Sequence, residues 1–125
     1  MEQAVIIDDD RDMANAIKLM FRLLDLDGVV FTRAREGAMY LLKTPQLPAL
    51  AIVDLNMPEV TGWDVLEFIR RHPRLKDLPV IILTYETYPR FIEQAKAAGA
   101  DAYLSKPVTL EELESAVRQV RAARA

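Results

Sequence analysis

Residues 51–58 read AIVDLNMP, an apolar run that stops at a carboxylate, Asp54, and is followed at once by a polar residue and a proline. A short apolar run bounded by turn residues is typical of a buried strand. Asp54 then has two interpretations. Aspartate is common in the turn that follows a strand, or a sheet holds this carboxylate at its rim to do chemistry. The remainder of the chain decides between them.

Composition limits the classes of protein to which the chain can belong. The 125 residues suffice for about one globular domain, and the net charge of −3 argues against a nucleic-acid partner. No apolar stretch approaches the roughly 20 residues that span a membrane. The absence of cysteine excludes disulfides and thiolate chemistry and fits a cytoplasmic protein. The single histidine, His72, cannot build a zinc site alone, and we expect it at an exposed helix end.

Five short apolar runs recur along the chain and predict five strands. They occupy residues 4–7, 28–31, 49–53, 79–83 and 102–104. Because strands buried on both faces are hydrophobic throughout, these runs favour a parallel sheet. Asp27-Gly28 and residues 45–48 have the composition of turns.

The segments between the runs show helical spacing and helix-end signals. Thr109 and Glu112 form a capping-box pattern, Pro89 suits a first turn, and Gly99 suits a C-terminal cap. Three apolar stripes indicate core-facing helices. They are Met13, Ile17, Met20, Phe21 and Leu24; Val65, Leu66 and Ile69; and Leu110, Leu113, Val117 and Val120.

The strand–helix pair therefore occurs five times, which predicts a doubly wound α/β fold with helices on both faces of a parallel sheet. Right-handed crossovers bring every strand's carboxyl end to one edge. Ligands of such sheets bind outside that edge, where the strand order reverses.

Four of the five runs end in groups that carry chemistry. These are Asp8-Asp9-Asp10, Asp54, Thr84 and Ser105-Lys106. Crowded carboxylates repel unless a cation joins them, and Mg²⁺ prefers oxygen ligands, including phosphate oxygens. A lysine and a hydroxyl suit a phosphoryl group. For the triple aspartate alone, a helix N-cap with a solvated flank is an equally good interpretation, but the joint placement of these groups favours a site.

Four segments together resemble the receiver domain of two-component response regulators, over essentially the whole chain. The segments are VIIDDD (5–10), AIVDLNMPEVTGWDVL (51–66), LPVIILT (78–84) and GADAYLSKP (99–107). The resemblance implies one receiver domain over residues 1–125, with the flavodoxin-like sheet order 2-1-3-4-5, an order for which receivers are a known example.

The resemblance also implies a set of roles at the metal and phosphoryl site. Asp54 would accept a phosphoryl group. Asp9 would bind Mg²⁺, or Mn²⁺, directly, with Asp8 close by through water. Asp54 would be a further ligand, and Asn56 would supply a backbone carbonyl to the metal.

A second group of implied roles concerns the response to phosphorylation. Thr84 would donate its hydroxyl to the phosphoryl oxygens, and Lys106 would pair with them. The Lys106-Pro107 peptide would be cis. Tyr103 would be the aromatic switch that turns inward when Thr84 moves, and the output surface would be built from the fourth helix, fifth strand and fifth helix.

The implied partners are a histidine kinase or histidine phosphotransfer protein and a downstream effector protein or domain. The resemblance implies a phosphoacceptor rather than an enzyme, although one that assists its own phosphorylation and dephosphorylation. Tyr85 departs from the family, which usually has a small residue there. We expect its ring near the mouth of the site, where it either shields the phosphoryl group or swings away onto the fourth helix without effect. Val108 replaces a frequent phenylalanine. Ala102 replaces an acid found in dimerising members, so we expect a monomer or a weak dimer.

Two other functions remain as alternatives. A phosphate-ester hydrolase with an aspartate nucleophile would carry its acid on the first strand and a cap over the substrate, whereas Asp54 lies on the third run and no residues are left for a cap. A binding module independent of phosphorylation would not need the full set of acids, threonine and lysine. Whether the receiver stands alone or is part of a longer chain stays open.

Overall fold

The computed structural model of the protein describes residues 1–124, which form five strands alternating with five helices. The strands are β1 (Glu2–Ile7), β2 (Leu26–Phe31), β3 (Leu50–Asp54), β4 (Val80–Thr84) and β5 (Ala102–Ser105). The helices are α1 (Arg11–Leu23), α2 (Ala34–Lys43), α3 (Gly62–Arg71), α4 (Pro89–Ala97) and α5 (Leu110–Ala123). None of these helices is long and apolar enough to cross a membrane.

The five strands form one parallel sheet in the order β2-β1-β3-β4-β5, which confirms the predicted doubly wound architecture. The chain runs from β1 outward to β2 and then crosses back to β3, so the strand order reverses between β1 and β3. In this register Ile7 pairs with Val53, and Thr84 pairs with Ser105. The predicted polar groups therefore meet at the carboxyl edge beside the reversal.

The sheet separates two hydrophobic layers. Val5 and Ile7 of β1 point toward the layer that holds α2, α3 and α4, whereas Ala4 and Ile6 point toward α1 and α5. All four side chains are fully buried. Because both faces of the strand are covered, its sequence is hydrophobic at every position instead of alternating.

Most of the predicted helix ends are confirmed. Thr109 and Glu112 form a reciprocal capping box at α5, and Pro89 opens α4. Gly99 follows the end of α4 with φ +103°, a conformation that an L side chain rarely adopts. A second capping box, Thr61 with Asp64, starts α3 and was not among the predicted signals.

The turn predicted at Asp27-Gly28 is wrong. Both residues lie inside β2, and the chain turns earlier, where Asp25 has a φ of 62°. Gly28 is needed for another reason: a Cβ there would lie 2.9 Å from Cγ of Lys18 on α1. Glycine at this position thus allows α1 to pack closely on the strand, and a sequence pattern does not distinguish that use from a turn.

Two further predictions need correction. The sequence places Leu110 in the apolar stripe of α5, but this residue is the first of the helix and is 37% exposed. His72 does end α3, as predicted, but it is half-buried rather than exposed, and its Nδ1 accepts a hydrogen bond from the amide of Arg74. The tight turn after α3 brings the imidazole back against the chain.

Candidate functional site

Two buried carboxylates lie side by side at the reversal point of the sheet. Asp54 is the last residue of β3, and Asp8 directly follows β1, its neighbour in the sheet. They are 2% and 1% exposed, respectively. Asp9 is exposed, yet all three residues offer carboxylate oxygens that lie within 4.8 Å of one another. The register of two parallel strands thus converts two distant apolar runs into one acidic cluster.

The third aspartate after β1 has a different role. Asp10 is the N-cap of α1, and its side chain accepts a hydrogen bond from the amide of Met13. The N-cap interpretation of the triple aspartate is therefore right for Asp10 alone. Asp8 accepts a hydrogen bond from the Asp10 amide through Oδ1, which fixes its carboxylate toward the cluster.

Lys106 brings one positive charge into the acidic cluster from the end of β5. Its Nζ lies 3.0 Å from Oδ2 of Asp8 and 3.4 Å from Oδ2 of Asp54, and its side chain is only 2% exposed. The Lys106-Pro107 peptide bond is cis, as expected. Buried charges are stable only when paired, so this lysine belongs to the cluster and not to the surface.

Burial shifts the pKa of the Asp54 carboxyl. It raises the pKa of Asp54 from 3.8 to about 6, with a smaller rise from the charge of Asp8, while the Asn56 amide and Lys106 pull the pKa down. For Lys106, burial lowers the pKa, but the hydrogen bond to Asp8 and the charges of Asp54 and Asp8 outweigh it, so the pKa is raised. Asp54 is therefore ionised at neutral pH, and Lys106 is cationic.

The residues fit a divalent cation. Three acids face one ammonium, so two negative charges remain unbalanced. Oδ2 of Asp8 is buried and forms an ion pair with Lys106 at 3.0 Å, but it accepts no hydrogen bond from the described residues. Because Lys106 shares its one charge between Asp8 and Asp54, a further cation or a water at this oxygen would lower the cost of burying the carboxylates. All of these ligands are hard oxygens, which Mg²⁺ and Mn²⁺ prefer.

A chain of hydrogen bonds leads from the acidic cluster to β5. The backbone N–H of Asn56 donates to Oδ1 of Asp54 at 3.2 Å. The side-chain Nδ2 of Asn56 donates to Oγ1 of Thr84, also at 3.2 Å. The amide of Glu86 also donates to Oγ1 of Thr84, at 3.1 Å, and the Glu86 carbonyl accepts from the Tyr103 hydroxyl at 2.7 Å. Thr84 is fully buried and accepts both bonds.

Sequence reasoning missed two contributors to this arrangement. Glu86 acts through its backbone, which carries no signature in the side chain. Gly62 opens α3, and a Cβ there would lie 2.2 Å from the carbonyl oxygen of Asp54. A glycine directly after a helix-capping threonine, Thr61, was the available signal that α3 starts close to the backbone of Asp54.

Tyr85 lies at the mouth of the site, as the sequence predicted. It follows Thr84, is 62% exposed, and its ring centroid lies 5.2 Å from Nζ of Lys106. This distance is within the range of a cation–π contact. The exposed ring thus lies beside the ammonium of Lys106, which contacts Asp8 and Asp54.

The model of the response regulator receiver domain family matches residues 4–118. The chain belongs to this family. It is similar to chemotaxis protein CheY of Pseudomonas aeruginosa, with 32% identity covering 93% of both proteins. The solved structure of chemotaxis protein CheY4 of Vibrio cholerae has a TM-score of 0.87 and 26% identity, and it covers 96% of this chain and 98% of that one.

This chain spans only part of the length of some relatives. The DNA-binding dual master transcriptional regulator RpaA of Synechocystis sp. is 34% identical over 94% of this chain, but the chain spans only 48% of RpaA. The receiver family accounts for the fold and for a phosphoacceptor role in two-component signalling, and this role is not that of a classical enzyme. The hydrolase alternative is therefore wrong.

Proposed function

We propose that this receiver accepts a phosphoryl group on Asp54 from the phosphohistidine of a histidine kinase or a histidine phosphotransfer protein, and that residues 1–125 form one such domain. The observation that carries the proposal is the buried pairing of Asp54 with Lys106 beside the Asp8–Asp9 pair. The raised pKa of about 6 still leaves Asp54 ionised, and hence nucleophilic, at neutral pH.

Each neighbouring group has a task in this proposal. Bound Mg²⁺, or Mn²⁺ in its place, would neutralise charge between the acceptor and the incoming phosphoryl group. Asp9 would be the direct ligand, Asp8 would act through water, and the Asn56 carbonyl would complete the protein's share together with Asp54. Because Lys106 already lies 3.4 Å from Asp54, it can pair with a phosphoryl oxygen without moving far.

The signal would leave the site through the hydrogen-bond chain. A phosphoryl group adds about −1.5 to −2 charge units, and its oxygens would compete for the hydroxyl of Thr84. A shift of Thr84 would break the hydrogen bond that the backbone N–H of Glu86 donates to Oγ1 of Thr84. It would thereby disturb the Glu86 carbonyl, which accepts a hydrogen bond from the Tyr103 hydroxyl. The Tyr103 ring would then turn inward and alter the surface of α4, β5 and α5, which contacts a downstream effector protein or domain.

The test is phosphorylation by a small phosphodonor such as acetyl phosphate with excess Mg²⁺, followed by intact mass. Wild-type protein should gain one phosphoryl group, and Asp54→Asn should gain none. Asp27→Asn is the matched control, since Asp27 is exposed on β2. Chelation should abolish the gain. A stable phosphoryl group on the Asp54→Asn protein contradicts the proposal, and so does full modification without metal.

A further inference from the structure

The N-terminal end of α4 lacks the cap that α1, α3 and α5 have. Its N-cap residue, Tyr88, makes no side-chain cap hydrogen bond, and no acid lies in the first turn. The other three helices each begin with a side-chain cap. Within residues 89–97, Phe91 and Ile92 are half-buried, and Ala95, near the C-terminal end, is the single buried residue. The sheet therefore holds the first turn of α4 only weakly.

The C-terminal end of α4, in contrast, is closed and clamped. The backbone N–H of Ala100 donates to the Ala95 carbonyl at 2.9 Å. The backbone N–H of Gly99 donates to the Lys96 carbonyl at 3.0 Å, which completes a Schellman-type ending. Arg70 of α3 then donates from Nε to the Gly99 carbonyl at 2.9 Å. A Cβ at position 99 would lie 2.9 Å from that same Nε, so the guanidinium group is packed directly against the glycine.

Arg70 is itself fixed by three further acceptors. Its Nη1 donates to the Leu78 carbonyl at 2.7 Å and to the Lys76 carbonyl at 3.1 Å, and its Nη2 donates to Oδ2 of Asp101 at 2.9 Å. Asp101 also accepts from the backbone N–H of Val80, the first residue of β4, at 2.9 Å. The side chains of Arg70 and Asp101 are 15% and 11% exposed, so solvent screens their ion pair only in part. The arginine therefore ties the end of α4 to α3 and to the start of β4.

We propose that Arg70 is a positioning residue that makes the C-terminal end of α4 a pivot, so that phosphorylation of Asp54 swings the N-terminal end of the helix and leaves the C-terminal end in place. The inference rests on the proposed phosphoacceptor function. The Glu86 carbonyl, two residues before the N-cap, accepts a hydrogen bond from the Tyr103 hydroxyl at 2.7 Å. When Tyr103 turns inward, this bond is lost beside the uncapped end. Because Arg70 holds the far end, the displacement becomes a rotation of α4 about Gly99 instead of a shift of the whole helix.

The chain supplies a matched control for this clamp. Arg74, in the turn after α3, donates from Nη1 to the carbonyls of Leu41 and Leu42. Its Nη2 donates to the carbonyl of Thr44, the C-cap of α2. Both arginines thus hold the C-terminal end of a neighbouring helix through backbone carbonyls. A general loss of stability should affect Arg70→Gln and Arg74→Gln alike, whereas a lost pivot of α4 should be seen in Arg70→Gln alone.

Amide hydrogen exchange of the unphosphorylated protein tests the clamp. Protection of residues 98–100 is expressed relative to the β1 amides of the same protein, which report global unfolding. In Arg70→Gln this protection should fall by about tenfold or more, since charge-assisted hydrogen bonds are lost. Arg74→Gln should lower protection of the Thr44 amide, which donates to the Tyr40 carbonyl, and leave residues 98–100 within about twofold of wild type. A change within about twofold in Arg70→Gln, or an equal fall in Arg74→Gln, overturns the proposal.

NMR chemical shifts before and after addition of acetyl phosphate and Mg²⁺ test the pivot. In wild type, the changes should be large at residues 90–92 and small at residues 98–100. Distance from Asp54 alone would also produce such a gradient, so Arg70→Gln decides: its changes at residues 98–100 should exceed those of wild type, and those of Arg74→Gln should not. Equal changes at both ends of α4 in wild type, or an unaltered gradient in Arg70→Gln, contradict the pivot.

Two further outcomes are decided by the same measurements. If Arg70→Gln does not fold, Asp101→Asn replaces it under the same criteria, because asparagine removes the carboxylate from Arg70 and keeps an oxygen for the Val80 amide. If wild-type protein takes no phosphate, the phosphoacceptor function fails, while hydrogen exchange still decides whether Arg70 clamps the end of α4.

Discussion

The ionised carboxylate of Asp54 destabilises the metal-free fold, so Asp54→Asn should make that fold more stable. Asparagine has nearly the shape of the protonated acid, and its side-chain oxygen can still accept the bond that the Asn56 amide donates at 3.2 Å. Lys106 retains its partner Asp8 at 3.0 Å. The substitution therefore removes a buried charge without leaving the lysine unpaired.

The magnitude follows from the pKa of Asp54. Holding the carboxyl at a pKa of about 6 instead of 3.8 means that ionisation costs the folded state about 3 kcal/mol. A group whose pKa is higher in the folded than in the unfolded state contributes stability when protonated, and that contribution is lost as the pH rises through the folded value. The free energy of unfolding of Asp54→Asn should therefore exceed that of wild type by about 3 kcal/mol near pH 7.5 and by less than about 1 kcal/mol near pH 4.

The assay is urea unfolding of wild type, Asp54→Asn and the surface control Asp27→Asn in a chelator, across that pH range. The control should show no comparable gain. Adding Mg²⁺ should reduce the difference, because the cation stabilises wild type by binding its carboxylates. A gain at about pH 7.5 of less than ~0.5 kcal/mol, or a gain that does not shrink as the pH falls, would refute the account of Asp54 as a buried charge with a raised pKa.

Two other substitutions test the metal site and the output path. Asp9→Ala should weaken Mg²⁺ binding by more than about tenfold in calorimetry, and by more than Asp8→Ala does. Asp12→Ala, which changes an exposed acid outside the cluster, should leave Mg²⁺ binding unchanged. Equal Mg²⁺ affinity in Asp9→Ala and wild type would mean that the metal does not bind at this cluster. Tyr103→Phe loses the hydroxyl that donates to the Glu86 carbonyl. The changes in NMR chemical shift that phosphorylation causes on α4, β5 and α5 should therefore be smaller than in wild type. Identical changes in both proteins would place the switch elsewhere.

The sheet was predictable because burial on two faces leaves a continuous record in the sequence. Runs such as 79–83 differ from the observed β4 by one residue, and the capping box of Thr109 shows where α5 starts. The failure at Asp27-Gly28 has a physical cause: glycine permits a turn and a close helix contact equally well, and only the position of Lys18 on α1 shows which use applies.

The acidic cluster was predictable for a related reason. Parallel strands bring the residues that follow them to one edge, so Asp8, Asp54 and Lys106 had to approach one another. The hydrogen bonds of Glu86 were not predictable, because they use backbone groups that every residue possesses. Likewise, the contact of Tyr85 with Lys106 depends on how the loop after β4 folds, and local sequence does not determine that.

The proposed role of Asp54 as the phosphoacceptor is tested by locating the acyl phosphate on the chain. Protein treated with acetyl phosphate and Mg²⁺ is reduced with borohydride, which converts an aspartyl phosphate to homoserine, and is then digested for peptide sequencing by mass spectrometry. We expect homoserine at position 54 alone, and none when the donor is left out or a chelator is added. Homoserine at Asp8 or Asp9, or a phosphorylated protein with unmodified Asp54, would contradict it.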